Sequence, residues 1–273
     1  MKHIFIFCAS LILLSLNSCQ KEFSGSDDSI PVDGDAKGFL DSANIVDASE
    51  INAIKFLVKE LKDSALWDKF VAIYPMVGGT AMATKLNLKD PRNADAAYRL
   101  TYNGNPIFAS TGVLFPTNND YADTHLYDSI LAFNDNAISF FSRTQNSVSG
   151  YDIGCDNEEF PWNQMAIYHE TDGSGYFGLN IWNYHPPVTI GLFMFSATAN
   201  DVIWYENGIP KFYLHDAPVN VYTKSPYLIG FCKSVESGGH RECAFATIGK
   251  GLSDAEALTF SNIVHEFNNR LSR

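Results

Sequence analysis

The sequence predicts an all-β-dominated chain, an antiparallel two-sheet jelly-roll sandwich with one N-terminal and one C-terminal helix. Three observations predict it. Short apolar or alternating runs, separated by Gly, Asn, Asp and Pro, fill the middle of the chain, which is the period-2 signature of strands. Aromatic residues make up 14% and charged residues only 18%, with 13 tyrosines and 19 glycines, a composition suited to strands carrying Tyr, Phe and Trp. Helical spacing recurs only at the two ends of the folded part.

The elements follow in chain order. Lys2 precedes the apolar runs Ile4 to Ala9 and Leu11 to Leu14, and Leu16-Asn17-Ser18 leads into Cys19. Such a start reads as a signal peptide over residues 1–18, too short for a permanent span. Leu16-Asn17-Ser18-Cys19 resembles the lipobox of bacterial lipoproteins. That resemblance implies acylation of Cys19 as the mature N-terminus, so the expected partner there is a lipid bilayer, each buried methylene contributing about 0.8 kcal/mol. An ordinary cleaved signal is the plainer alternative. Cys19-Gln20-Lys21-Glu22 also resembles the export tag of Bacteroidota-type lipoproteins, which implies the outer membrane, facing outward. Residues 19–44, with Ser24, Gly25, Ser26, Asp27, Asp28 and Ser29 among them, read as a flexible tether. Residues 45–273 read as one domain.

Asp47-Ala48-Ser49-Glu50 can form a capping box, after which Ile51, Ile54, Leu57, Val58, Leu61 and Ala65 recur at helical spacing, predicting a helix from Ala48 to Leu66. Ser253-Asp254-Ala255-Glu256 repeats the box before Ala257, Phe260, Ile263, Val264, Phe267 and Leu271. Between them about ten strands are expected, among them Ala97 to Tyr102, Ala137 to Arg143, Met165 to His169, Tyr176 to Trp182, Tyr227 to Cys232 and Cys243 to Ile248. Val202 to Tyr205 and Lys211 to Leu214 flank Asn207-Gly208, the pair a tight hairpin requires. Val188 to Ala197 is apolar on both alternating sets, which predicts a central strand covered on both sides.

Composition narrows the function. Removing the signal takes away Lys2 and no acid, leaving 18 basic and 31 acidic side chains and a formal charge of −13. That balance disfavours nucleic acid and anionic lipid as partners. Beyond Cys8 and Cys19, the cysteines are Cys155, Cys232 and Cys243. Cys232 and Cys243 flank a polar, glycine-containing segment that could join neighbouring strands, so a disulfide between them is one reading. Metal binding is the weaker rival, since no Cys-x-x-Cys occurs.

The order Trp204-Tyr205-Glu206-Asn207-Gly208, then Tyr227-Leu228-Ile229-Gly230, then Gly249-Lys250-Gly251-Leu252-Ser253-Asp254-Ala255-Glu256 resembles the last third of concanavalin A-like, laminin-G-like domains. Phe70 to Thr80 with Asn87-Leu88-Lys89-Asp90-Pro91 looks like the variant of that module in bacterial and phage surface proteins, so the resemblance covers residues 45 to 273. It implies a lectin-like sandwich. Where the family has an acidic Asp-Glu-Val strand before the last helix, this chain has Cys243-Ala244-Phe245-Ala246-Thr247-Ile248, so no role of those acids carries over.

Glycosidases on such sandwiches need two carboxylates about 5 to 10 Å apart, and the Glu-x-Asp-x-x-Glu spacing of the laminarinase-like branch does not occur. His169-Glu170 and His265-Glu266 lack the second histidine of a zinc-protease helix. The expectation is that the chain is not an enzyme and requires no cofactor. Asp152, Asp156, Glu158 and Glu159 sit in a glycine- and proline-flanked stretch that reads either as a solvated loop or as a calcium site. Trp162, Asp172, Tyr176, Asn180, Trp182, Asn183 and Tyr184 are the candidate ligand residues: rings to stack on sugar faces, amide and carboxylate groups for hydroxyls. Filling the core is the alternative for the rings, and it is the expectation for Trp204. A surface-anchored lipoprotein that binds polysaccharide or host glycan is therefore expected, with a protein-interaction or display module as the alternative and a glycoside hydrolase behind both.

Overall fold

The computed structural model describes residues 31–132, 134–157, 164–169, 174–177, 182–184, 189–199, 201–215, 223–233 and 236–273. Four helices precede or follow the strands or sit among them: α1 (Gly34–Ala43), α2 (Ala48–Asp63), α3 (Ala81–Thr84) and α4 (Asp254–Arg270). The strands are β1 (Phe70–Tyr74), β2 (Thr101–Asn103), β3 (Ile107–Ala109), β4 (Gly112–Leu114), β5 (Tyr121–Tyr127), β6 (Asp135–Ser142), β7 (Gly150–Asp156), β8 (Gln164–His169), β9 (Ser174–Phe177), β10 (Trp182–Tyr184), β11 (Gly191–Thr198), β12 (Asp201–Glu206), β13 (Ile209–Leu214), β14 (Pro226–Ile229) and β15 (Glu242–Gly249). They form two antiparallel sheets. The eight-stranded sheet runs β13-β12-β11-β6-β15-β4-β3, with β1 also paired to β15, and the seven-stranded sheet runs β10-β9-β8-β7-β14-β5-β2.

Alternation along β11 explains the layering. Phe193, Phe195 and Ala197 join Phe140, Trp204, Ile153, Ile167 and Ile229 between the sheets. Leu192 and Met194 point the other way, into a second core with Phe141, Phe245, Leu57, Phe260 and Val264. The predicted central strand thus has apolar residues on both faces because one meets the other sheet and the other meets helices. Trp204 is buried in the inter-sheet core. Each such buried aromatic or aliphatic side chain contributes roughly 1.5–3 kcal/mol.

The local signals behave as their chemistry requires. Ser253 accepts from the Glu256 backbone while the Glu256 carboxylate receives the Ser253 N–H, a complete capping box on α4. On α2 only half the box closes: Asp47 accepts from Ser49 and Glu50 N–H, while Glu50 Oε1 receives Gly78 N–H at 2.8 Å and ties the helix to the loop after β1. Asn207 (φ 51°) and Gly208 (φ 76°) turn the β12–β13 hairpin. A Cβ on Gly208 would meet Ser261 Cβ at 2.6 Å, so this turn also needs glycine to seat α4.

Four expectations are corrected. Residues 34–43, placed in the tether, form α1, because Ala36, Phe39, Leu40 and Ala43 make one apolar stripe that is buried with the helical core. The helix expected to reach Leu66 ends at Asp63. Tyr176 to Trp182 is not one strand: β9 and β10 form an antiparallel pair. The disulfide between Cys232 and Cys243 does not form. The segment between them leaves the seven-stranded sheet for the eight-stranded one, so the two sulfurs belong to different layers. Among the described residues, no helix is long and apolar enough to cross a membrane.

Candidate functional site

β7 sets the electrostatics. Asp152, Gly154 and Asp156 alternate with Tyr151, Ile153 and Cys155, and in a regular strand both aspartates would share a face. A bulge between Tyr151 and Ile153 breaks that alternation and turns Asp152 inward with Ile153. There its Oδ1 accepts from Arg241 Nη1 at 2.9 Å and its Oδ2 lies 3.0 Å from His169 Nδ1, all three side chains being 1% exposed. The His169 ring stands edge-on to Phe193, with 4.6 Å between centroids. Arg241 Nη2 also donates to Val148 O at 2.6 Å. Burial pushes the Asp152 carboxyl up, and the Arg241 charge with the His169 contact outweighs it, holding the group below its ordinary value.

Asp156 stays on the outer face of the seven-stranded sheet. Its Oδ2 accepts from Cys232 Sγ at 2.7 Å and its Oδ1 from Ser225 Oγ at 3.3 Å. Asp152 and Asp156, read from the sequence with Glu158 and Glu159 as a solvated loop or a calcium site, thus stand in a buried strand rather than a loop. The two aspartates lie inside a strand, on opposite faces, with their oxygens taken by an arginine, a hydroxyl and a thiol. Glu158 and Glu159 lie outside the described residues. Among the described residues, no group of three or more His, Cys, Asp and Glu side chains could hold a metal.

The same outer face gathers aromatic residues. Tyr151 stands opposite Tyr168, Tyr168 opposite Tyr176, and Tyr176 opposite Trp182, in register across β7, β8, β9 and β10. Positions opposite one another in antiparallel strands share a face. Tyr151 and Tyr168 pack with 4.6 Å between ring centroids and, with Ala166 and Cys232, form a small buried cluster separate from the inter-sheet core, which puts these two rings on the outer side of the sheet. Amide and hydroxyl groups sit among the rings: Tyr151 Oη donates to Gln164 Oε1 at 3.1 Å, and Gln164 Nε2 to Cys232 Sγ at 3.8 Å. The row ends at β10, the last strand of the sheet among the described residues.

Of the candidate ligand residues, Tyr176 and Trp182 are brought together as cross-strand partners, Asn183 stands opposite Gly175, and Tyr184 opposite Ser174. Trp162, Asp172 and Asn180 lie outside the described residues. Sequence reasoning missed Tyr151 and Tyr168. The signal was there, Tyr151, Ile153 and Cys155 at strand spacing, but two aspartates in the same stretch read as a loop.

At the opposite edge the face continues over β14, β5 and β2. Gly154, Leu228, Asp123 and Thr101 stand in one row. Tyr121 stacks on Phe231, with 5.0 Å between centroids and 16° between planes, beside Asn118, whose Oδ1 lies 2.8 Å from His240 Nε2.

The chain matches no protein-family model and no curated protein sequence. Among solved structures it is similar in fold to a mutant of Trypanosoma rangeli sialidase displaying trans-sialidase activity, at TM-score 0.52 and 9% identity, covering 80% of this chain and 40% of that one. T. rangeli sialidase in complex with a difluorinated KDN superposes at TM-score 0.53 and 9% identity, covering 77% of this chain and 39% of the other. Domain 4 of an extracellular GH43 arabinanase from Geobacillus stearothermophilus, in complex with arabinotriose, follows at TM-score 0.47 and 13% identity over 71% of this chain and 98% of that one, too distant to add to the argument. The chain spans about two fifths of the length of the sialidases it matches. At such identity the likeness is one of fold. It overturns the expectation that the chain is not an enzyme: chains of this fold include glycosidases, so a missing Glu-x-Asp-x-x-Glu spacing does not set this one apart.

Proposed function

We propose that this protein is a lipid-anchored surface protein that binds carbohydrate on the outer face of its seven-stranded sheet, as a concanavalin A-like, laminin-G-like sandwich does. The observation that carries this reading is the register of Tyr151, Tyr168, Tyr176 and Trp182 across four neighbouring strands, a row that begins at the buried Tyr151 and Tyr168 and runs to the last described strand of the sheet at Trp182. Aromatic faces stack on sugar C–H groups, the apolar part of a ligand site that a few polar groups complete. The fold likeness to sialidases, one of them solved with sialic acid, supports a glycan-related role. Acylation of Cys19 would hold the protein on the outer face of the outer membrane.

The test is a glycan and polysaccharide array, sialylated glycans included, probed with the wild-type chain, Tyr176→Ala and Trp182→Ala, with calcium and with chelator. Wild-type binding that falls at least about tenfold in each variant, with an unchanged melting transition, supports the reading. Silence of the wild type on every glycan overturns it and favours a protein-interaction module. Labelling of cells with a palmitate analogue tests the anchor: Cys19→Ser must lose the label.

A further inference from the structure

The open edge of the same face carries a hydroxyl, an imidazole and a carboxylate in sequence. Thr101 Oγ1, on β2, lies 2.7 Å from His125 Nε2, on β5. On the far side of the ring, His125 Nδ1 lies 3.9 Å from Asp123 Oδ1. The same Asp123 oxygen receives the His125 backbone N–H at 2.7 Å, and His125 holds φ 56° inside a strand, an uncommon backbone for a non-glycine residue. The ring thus lies between Thr101 and Asp123. Asp95 Oδ1 lies 3.5 Å from His125 Nε2 and receives Arg99 Nε at 2.8 Å, so a second carboxylate, itself paired with a guanidinium, stands beside the imidazole. None of these groups is needed by the aromatic row, and the His125 side chain is 26% exposed, open to a ligand on that face.

We propose that Thr101, His125 and Asp123 form an acyl-transfer relay that hydrolyses esters, with O-acylated sugars as the substrate class; that class rests on the carbohydrate reading above. In the tautomer that carries the proton on Nδ1, towards Asp123 3.9 Å away, Nε2 is the acceptor for the Thr101 hydroxyl proton. Thr101 Oγ1 attacks the ester carbonyl as its proton passes to Nε2, and the imidazolium is stabilised by Asp123 and Asp95. The C–O bond to the sugar breaks, the sugar oxygen takes the proton from Nε2, and the acyl group stays on Thr101. Water then adds to that acyl carbon, giving its proton to Nε2, and the Thr101 oxygen recovers it as the carboxylic acid leaves. Thr101 and His125 are the catalytic residues, and Asp123 is a positioning residue.

The experiment is acetate release from acetylated xylan and p-nitrophenol release from p-nitrophenyl acetate by the whole chain, with the array binding measured on the same preparations. Wild type should release both above buffer. Thr101→Val and His125→Asn, the second accepting a positive φ without strain, should each lose about 100-fold, while Thr101→Ser keeps the rate. Asp123→Asn should lower kcat and move the pH profile, a displacement that a purely structural role would not produce. An acetyl adduct on the Thr101 peptide, caught by rapid quench, supports the covalent step. No release by wild type, or an unchanged rate in Thr101→Val, overturns the relay. Ester cleavage without array binding leaves the relay standing and removes the sugar from it, whereas binding without cleavage does the reverse.

Discussion

The two sheets have unlike outer faces. The eight-stranded sheet turns Phe141, Leu192, Met194 and Phe245 outward, and α2 and α4 cover them with Leu57, Leu61, Phe260, Val264 and Phe267. The seven-stranded sheet turns outward tyrosines, Gln164, Asp156, Asp123 and His125, a mixture no apolar helix could cover without stranding polar groups. One outer face is therefore architecture, and the other carries a buried network of tyrosine, Gln164 and Asp156 with Asp123 and His125 partly exposed beside it. Substitutions on the first should act on stability and leave ligand binding alone. On the second the order should reverse.

The sharpest way to break this contrast is Phe260→Ala. The ring lies 4.9 Å from Phe70 and 6.2 Å from Phe245 at no solvent exposure, so its removal should cost about 3–5 kcal/mol in denaturant unfolding. Glycan affinity per folded molecule should not change. A change in affinity at constant folded fraction would show that the two faces are coupled.

Arg241→Met tests the seam between the sheets. It leaves the Asp152 carboxylate buried without its cation and should cost about 3–5 kcal/mol at neutral pH. The sign with pH follows from the direction of the shift. Asp152 is held below its ordinary value of 3.8 in the folded protein, so its contribution is present above that value and fades as pH falls through the lower folded value. Unfolding measured from pH 7 to pH 3 should show the gap between wild type and Arg241→Met closing in acid; a gap constant with pH would mean that lost packing of the arginine stem, not charge, is what matters.

The smallest effect is expected at Asp128, at the end of β5. Its Oδ2 receives Thr223 N–H at 2.7 Å while Oδ1 is buried without a hydrogen bond. Burial raises this carboxyl above its ordinary value, against the Thr223 bond. A raised acid favours the fold below its unfolded value and loses that advantage as pH rises through the folded value. Asp128→Asn keeps an acceptor for Thr223 and should raise the melting temperature at pH 7 slightly, the gain vanishing by pH 4. Destabilisation at pH 7 would mean that Asp128 is held charged by a partner.

Much of the fold could be read in advance because its signals are local. Ser253 and Glu256 cap α4 within four residues of each other, Asn207-Gly208 turns its hairpin on its own φ preferences, and β11 announces two covered faces by being apolar on both. α1 escaped because its stripe is four small or apolar residues between charges, and β7 because its aspartates outweighed its alternation. Of the candidate site, Tyr176 and Trp182 could be named but not paired, since both were read as parts of one strand. Thr101, His125 and Asp123 could not be singled out, as nothing in their spacing tells which strand pairs with which.

By itself the sequence determined the class of fold, the caps, the hairpin and which strand would be central, all set by contacts within a few residues. Only the tertiary structure decided the register that aligns Tyr151, Tyr168, Tyr176 and Trp182, the bulge that sends Asp152 inward, and the choice of Arg241, 89 residues away, as its partner. The reason is physical: a one-residue slip in any ladder moves every side chain to the other face. A buried carboxylate takes whichever cation the closed sandwich sets beside it.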